Sequence, residues 1–199
     1  KVPGSEGHVM YVWVDALTNY LTGLGYPDDM GEFWPASLHL IGKDIVRFHT
    51  IYWPAFLMSA GLPVPQKVFG HGFLLNRGQK ESKSLGNVTD PLALAETFGV
   101  DALRYFLMRE VAFGQDGSYS SEAIVLRANA ELANSFGNLA QRTLSMIAKN
   151  LDGKVPGTGN RPEDMQLRAL VRSAVLNDLR SEFEKLAFSS GLEAWMKAV

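Results

Sequence analysis

The chain has 199 residues, with 19 Lys and Arg against 21 Asp and Glu, a formal net charge of −2 and 46% hydrophobic residues. Enough apolar surface is available to offset the entropy of ordering, which excludes a disordered chain, a collagen-like repeat and a strongly basic tail. There is no cysteine, so a disulfide, a thiolate metal site and a cysteine nucleophile are excluded within these residues.

Residues 9–17 are rich in β-branched and aromatic side chains and read as a strand, as do the apolar runs at 38–41 and 68–72. Between the last two, Ile45, Phe48, Ile51, Tyr52, Ala55, Phe56 and Ala60 recur at spacings of three and four, one helical face closed by Gly61-Leu62-Pro63. Strand, helix and strand in that order make the βαβ unit of a parallel sheet. Asp90-Pro91 reads as an N-cap and a helix-opening proline, and Leu92, Leu94, Ala95, Phe98 and then Ala102, Leu103, Phe106, Leu107 predict two short helices separated by Gly99. The loop at 113–118 marks a boundary. Beyond Ser121, one helical stripe runs through Leu132, Phe136, Leu139 and Ile147 and a second through Leu167, Leu170, Ala174 and Leu186, joined by the Gly/Pro-rich residues 153–162. The expected fold class is α/β, an α/β half followed by an α-helical half.

No apolar run approaches the roughly 20 residues needed to cross a bilayer, and the N-terminus lacks the apolar core of a signal peptide. We therefore expect a soluble, cytoplasmic protein with no membrane partner. The chain starts without methionine and stops inside a helical pattern at residues 195–199, so it reads as a piece of something longer.

The stretch 76–87 brings Lys80, Lys83, Ser82 and Ser84 together between Gly78 and Gly86. Two ammonium groups with hydroxyl and backbone N–H donors nearby suit the charge that builds on a departing polyphosphate. For a generic loop of this composition, a solvated surface turn is the commoner reading.

Lys80-Glu81-Ser82-Lys83-Ser84 resembles the Lys-Met-Ser-Lys-Ser signature of class I aminoacyl-tRNA synthetases. The segments 11–20, 41–49, Trp53-Pro54-Ala55, His71-Gly72, 98–107 and 113–117 also occur in the order seen in methionyl-tRNA synthetases. The resemblance covers nearly the whole chain. It implies the second half of a Rossmann-like, parallel-sheet nucleotide-binding domain (1–89), a connecting stem-contact segment (90–120) and the start of an α-helical bundle that binds the anticodon (121–199). It further implies ATP-dependent activation of methionine to methionyl-adenylate and transfer to tRNA(Met), with methionine, ATP and tRNA as partners and Mg2+ accompanying ATP.

Carried over position by position, Lys80 and Lys83 match the catalytic lysines that contact the phosphates. Trp13, Ala16, Leu17, Tyr20, Ile45 and His49 match the wall of the methionine pocket, where aromatic faces suit a polarizable thioether. By residue type alone, Trp13 and Tyr20 are more often core, and His49 a satisfied buried histidine. Gly42 and Asp44 follow a predicted strand and match ribose contacts, and His71, Gly72 and Leu74 match positions around the adenosine; a plain β-to-α turn has the same pattern at Gly42 and Asp44. Asn134, Asn138 and Arg142 share a helical face, and Asn138 and Arg142 match positions that read anticodon bases with amide and guanidinium groups. A solvated helix face is the plainer reading of that pair.

Three features depart from the family. Glu81 stands where methionine is usual, and we expect its carboxylate to point to solvent. Leu17 stands where some members have proline. The His-Ile-Gly-His signature is missing, since His8, His39, His49 and His71 do not form it, and zinc, which needs the family's cysteines, belongs to a part outside this chain. We therefore expect these residues alone not to activate methionine. A non-catalytic tRNA-binding module derived from a class I synthetase is the competing reading. A helical adaptor, slightly favoured by the charge of −2, is the third.

Overall fold

The computed structural model describes residues 3–9, 11–81, 88–112 and 114–199. The chain divides into two units, Lys1–His71 and Gly72–Val199.

In the first unit, helix α1 (Val12–Thr22) takes most of the stretch that composition assigns to a strand. Leu17 and Leu21, four residues apart, are buried, while Val12 and Val14 are exposed. Burying that helical stripe outweighs the weak strand preference of the valines. Strands β1 (His39–Gly42) and β2 (Val68–His71) pair in parallel, with His39 opposite Val68 and Gly42 opposite His71. The crossover starts with a tight 3-10 turn (Lys43–Ile45), widens into π geometry (Phe48–Tyr52) and continues as α2 (Trp53–Ser59). It ends where Leu62 N–H bonds back to Leu57 O at 2.9 Å with Gly61 at φ +70°, a left-handed cap open to glycine. The βαβ expectation holds. Leu17, Leu21, Trp34, Trp53 and Leu57 form the core of this unit, and the buried indole of Trp34 donates to Pro63 O at 3.0 Å.

The second unit begins with a hairpin. Strand β3 (Leu74–Asn76) runs antiparallel to β4 (Gln79–Lys80) through Arg77 at φ 48° and Gly78 at φ 80°. Both positive angles belong to the two-residue turn whose twist matches the strands it joins. Strand β5 (Gly117–Tyr119) pairs in parallel with β3, giving the order β4-β3-β5. The loop read as a boundary at 113–118 therefore ends inside this sheet, where Gly117 N–H donates to Phe73 O at 2.9 Å.

Helices α3 (Pro91–Phe98) and α4 (Val100–Glu110) form as expected: Asp90 caps the Leu92 N–H at 2.9 Å, Pro91 opens the first turn and Gly99 at φ 85° separates the two. Leu103, Phe106, Tyr119 and Ile124 form the core. Ser120 caps α5 (Ser121–Arg127), which runs on through a π-wound stretch (Ala128–Gly137) into α6 (Asn138–Asn150). Charge ties α4 to this long helix. Glu131 takes Arg127 at 2.6 Å and Arg109 at 3.3 Å, and accepts the Tyr105 hydroxyl as well.

The second long helical stretch is interrupted. Helix α7 (Pro162–Arg172), a π-wound stretch (Ser173–Leu179) and α8 (Arg180–Glu184) lead to Leu186 at φ 65°, where the chain turns into α9 (Phe188–Ala198). Leu186 therefore sits at a bend rather than on a continuous stripe, and Ala187 N–H bonds back to Glu182 O at 2.8 Å. The bend lets Phe183 meet Phe188 edge to face at 5.1 Å and lets α9 fold back on Ser173–Leu179 and on α4. Ala174 is buried there, while Leu167 and Leu170 of the expected stripe are exposed.

Candidate functional site

In the first unit, α1 and the crossover bring aromatic side chains to one locus. Trp13, Leu17 and Tyr20 follow one another at helical spacing. Trp13 stacks on Phe48 with centroids 4.0 Å apart and planes 8° off parallel, and lies edge-on to His49 at 6.1 Å. His49 is 1% exposed. Its Nδ1 donates to Ile45 O at 3.0 Å, one helical turn back. A carbonyl only accepts, so in the neutral imidazole Nε2 is the acceptor, and the Tyr20 hydroxyl donates to it at 2.9 Å.

Five of the six residues expected to line a pocket are thus joined: Trp13, Tyr20 and His49 by ring contacts and a hydrogen bond, Ile45 through its carbonyl, and Leu17 in the core beneath them. Ala16 lies on the same side of α1 and is exposed. Leu17 is fully buried.

Residue-type reasoning passed over His39, Trp34 and Trp53. The Tyr20 ring lies 4.4 Å from His39 and 6.0 Å from Trp53, and Trp34 meets Trp53 at 5.9 Å. His39 Nε2 and Trp53 Nε1 are buried without a hydrogen-bond partner among the described residues. Burial, and then the neighbouring His49, hold His39 below the ordinary histidine range, so it is uncharged at neutral pH. Burial also pushes the Tyr20 phenol up, keeping it a donor. The missed signal was alternation: His39 and Ile41 face inward on β1 while Leu40 is exposed.

Gly42 and His71, expected from separate motifs, are direct partners at the carboxyl ends of the parallel strands β1 and β2. Asp44 follows in the 3-10 turn, exposed, with Oδ1 curled back so that a Cβ on Gly42 would lie 2.7 Å from it. That end of a parallel sheet is where open α/β folds bind nucleotides.

The remaining expected residues belong to the second unit. Gly72 is buried because the backbone of Gln115 crosses it: a Cβ would meet Gln115 O at 1.9 Å. The close approach that glycine allows is used there by the chain itself. Leu74 starts β3, partly exposed. Lys80 ends β4, paired with Leu75, its ammonium 4.1 Å from the centre of the Phe73 ring. Lys83 lies outside the described residues.

Glu81 corrects the expectation that it points to solvent. Its Oε1 accepts from Thr89 Oγ1 at 2.7 Å, from Thr89 N at 3.2 Å and from the Tyr119 hydroxyl. Hydrogen bonds from Tyr119, and then Thr89, hold the carboxylate below its ordinary range. Tyr119 is 6% exposed and its hydroxyl also meets Thr89 Oγ1, so the carboxylate is drawn inward to a cluster of hydroxyl donors.

On α6, Asn138 and Arg142 are exposed and line a shallow groove with Asn134, Leu139 and Met146. Asn138 Nδ2 donates to Asn134 O at 2.9 Å, leaving its carbonyl oxygen and a second N–H to meet a ligand. Among the described residues, no group of three or more His, Cys, Asp or Glu side chains is placed to hold a metal ion, and no helix is long and apolar enough to cross a membrane.

Comparison with known proteins adds the following. Residues 1–144 match the family described as "tRNA synthetases class I (M)". The methionine–tRNA ligase of Mycobacterium tuberculosis (strain ATCC 25618 / H37Rv) is 59% identical over 201 residues, spanning 98% of this chain and 39% of that protein. That of Brucella suis biovar 1 (strain 1330) is 71% identical over 161 residues, 79% of this chain and 31% of its own. The crystal structure of the Mycobacterium tuberculosis methionyl-tRNA synthetase bound by methionyl-adenylate superposes with a TM-score of 0.85 at 59% identity, covering 100% of this chain and 40% of that one. The chain thus spans about two fifths of the length of these Mycobacterium relatives.

Proposed function

Because the chain belongs to the class I tRNA synthetase family of the methionyl type, we propose that it supplies the second half of the active site of a methionine–tRNA ligase together with the start of its anticodon-binding domain. In this reading residues 1–89 belong to the Rossmann-like catalytic domain, 90–120 to a connecting segment that meets the tRNA stem, and 121–199 to the helical domain.

The reaction needs no covalent enzyme intermediate. A methionine carboxylate oxygen attacks the α-phosphorus of ATP, the bond to the bridging oxygen breaks and pyrophosphate leaves. A ribose hydroxyl at the tRNA 3′ end then attacks the acyl carbon and releases AMP. The protein's part is orientation and charge stabilisation. Trp13, Ala16, Tyr20, Ile45 and His49 surround the methionine side chain over the buried Leu17, with the Tyr20 hydroxyl tied up by His49, so that the pocket offers aromatic surface to a thioether. Gly42, Asp44 and His71 meet the nucleoside, where a carboxylate accepts from ribose hydroxyls. Leu74 is assigned to the same nucleotide, while Gly72 packs on Gln115 instead; Lys80 and Lys83 neutralise the departing pyrophosphate. Magnesium carried on the ATP phosphates would add to the charge neutralisation that these lysines supply. Asn138 and Arg142 read unstacked anticodon bases.

The observation that carries this reading is the pairing of Gly42 with His71 at the carboxyl edge of a parallel sheet, in a chain 59% identical to a synthetase solved with methionyl-adenylate. Methionine-dependent ATP–pyrophosphate exchange by the full-length ligase tests it. Lys80→Ala and Lys83→Ala are each expected to lower the rate by roughly 100-fold with KM for methionine unchanged, the usual scale for losing one transition-state charge donor. Folded protein without exchange would shift the assignment to a non-catalytic tRNA-binding module.

A further inference from the structure

We propose that Glu81 is a positioning residue: its carboxylate ties Thr89 and Tyr119 to the end of β4, and so sets where the adjoining Lys80 enters the phosphate site. The inference rests on the ligase reading above for its functional consequence. The clasp itself stands on geometry.

Glu81 and Thr89 bracket residues 82–87. A single oxygen, Glu81 Oε1, receives both the backbone N–H and the hydroxyl of Thr89, at 3.2 and 2.7 Å. The same oxygen receives the Tyr119 hydroxyl from β5, and Asn76 Nδ2 at the end of β3 donates to Thr89 Oγ1 at 3.2 Å. Glu81 and Thr89 are therefore both referred to side chains on β3 and β5. Lys80 is next to Glu81 in sequence and held by its β4 pairing with Leu75, so its backbone belongs to the same rigid reference. Hydrogen bonds to an ionised acceptor are stronger than neutral ones, which suits one carboxylate to hold three donors.

The surroundings show why the clasp matters. Beside it lies a cavity of about 80 Å³ whose other walls include Leu74, Leu94, Leu103, Phe106 and Ile124. An apolar residue such as the methionine usual in the family anchors against such walls by packing. This chain carries glutamate there and holds the same place with hydrogen bonds at the polar rim of the cavity. Removing the carboxylate takes the charged acceptor from the buried Tyr119 hydroxyl and leaves it the weaker, neutral Thr89 Oγ1.

The test compares the full-length ligase with its Glu81→Ala, Glu81→Gln and Tyr119→Phe variants. Two readouts are used: steady-state ATP–pyrophosphate exchange, and hydrogen exchange at the Thr89 amide. Glu81→Ala is expected to lower kcat by about tenfold with KM for methionine unchanged, and to deprotect the Thr89 amide. Glu81→Gln, which keeps an acceptor oxygen, recovers most of both losses. Tyr119→Phe lowers kcat as well, and adding it to Glu81→Ala costs nothing further, because the two groups act as one unit. Glu81→Ala with unchanged kcat, or with Thr89 as protected as before, overturns the proposal. So does a loss that appears only in KM for methionine. Absence of exchange in the unmodified ligase refutes the ligase reading instead, and Thr89 protection then still decides whether the clasp exists.

Discussion

A buried imidazole between a carbonyl and a phenol is a defined chemical object. His49 gives its Nδ1 proton to Ile45 O and meets the Tyr20 hydroxyl on Nε2, so both ring nitrogens are satisfied and the ring is held in place. In the proposed methionine pocket, tying up the Tyr20 hydroxyl matters as much as filling volume, because an unpaired hydroxyl there would favour water instead. Tyr20→Phe keeps the ring but removes the donor, leaving Nε2 buried and unpaired. We expect a loss of about 1–3 kcal/mol in stability, read by chemical denaturation of the full-length protein, with KM for methionine raised. An unchanged denaturation midpoint would show that the phenol does not hold the imidazole.

At the scale of elements, helix spacing is what converts scattered residues into surfaces. The run from Ser121 to Asn150 is continuous, with π-wound turns between Ala128 and Gly137. A wide turn rotates the residues after it relative to those before, so the face bearing Asn138 and Arg142 is set by that stretch as well as by their own spacing of four. Glu131, inside the stretch, is where Arg109 and Arg127 converge from α4 and α5. With Asn138 self-bonded to the preceding turn and Arg142 exposed, Arg142→Ala is expected to weaken tRNA(Met) binding by about tenfold while leaving methionine-dependent exchange in the absence of tRNA as it was. Filter binding and exchange on the same preparation check both halves. Equal tRNA affinity in the variant would make Arg142 an ordinary solvated side chain.

For the molecule as a whole, the division at His71 and Gly72 separates the expected methionine pocket, in the first unit, from the lysine segment, in the second. The 199 residues contain none of the His-Ile-Gly-His signature and correspond to 39% of the Mycobacterium tuberculosis relative. Expressed by themselves, they are expected to show no methionine-dependent exchange. Exchange by this chain alone, above a Lys80→Ala control, would show that the nucleotide site is complete within it.

What the amino-acid sequence determined by itself was whatever depends on neighbours along the chain or on motif order. The Asp90-Pro91 start of α3, the Gly99 break, the βαβ order and the motif series of the family all depend on local rules, and each was legible. The proposed site residues were named as a set only because their order resembles a family; Trp13 or His49 alone reads as core. Tertiary structure decided the rest, for stated reasons. Residues 9–17 have strand-like composition, yet burying Leu17 and Leu21 against Trp53 and Leu57 makes most of them helix. The bend at Leu186 exists because Phe183 and Phe188 meet across it. Glu81 looks like a solvent-facing charge until Tyr119, 38 positions away, presents a buried hydroxyl, and no local pattern announces a partner so distant.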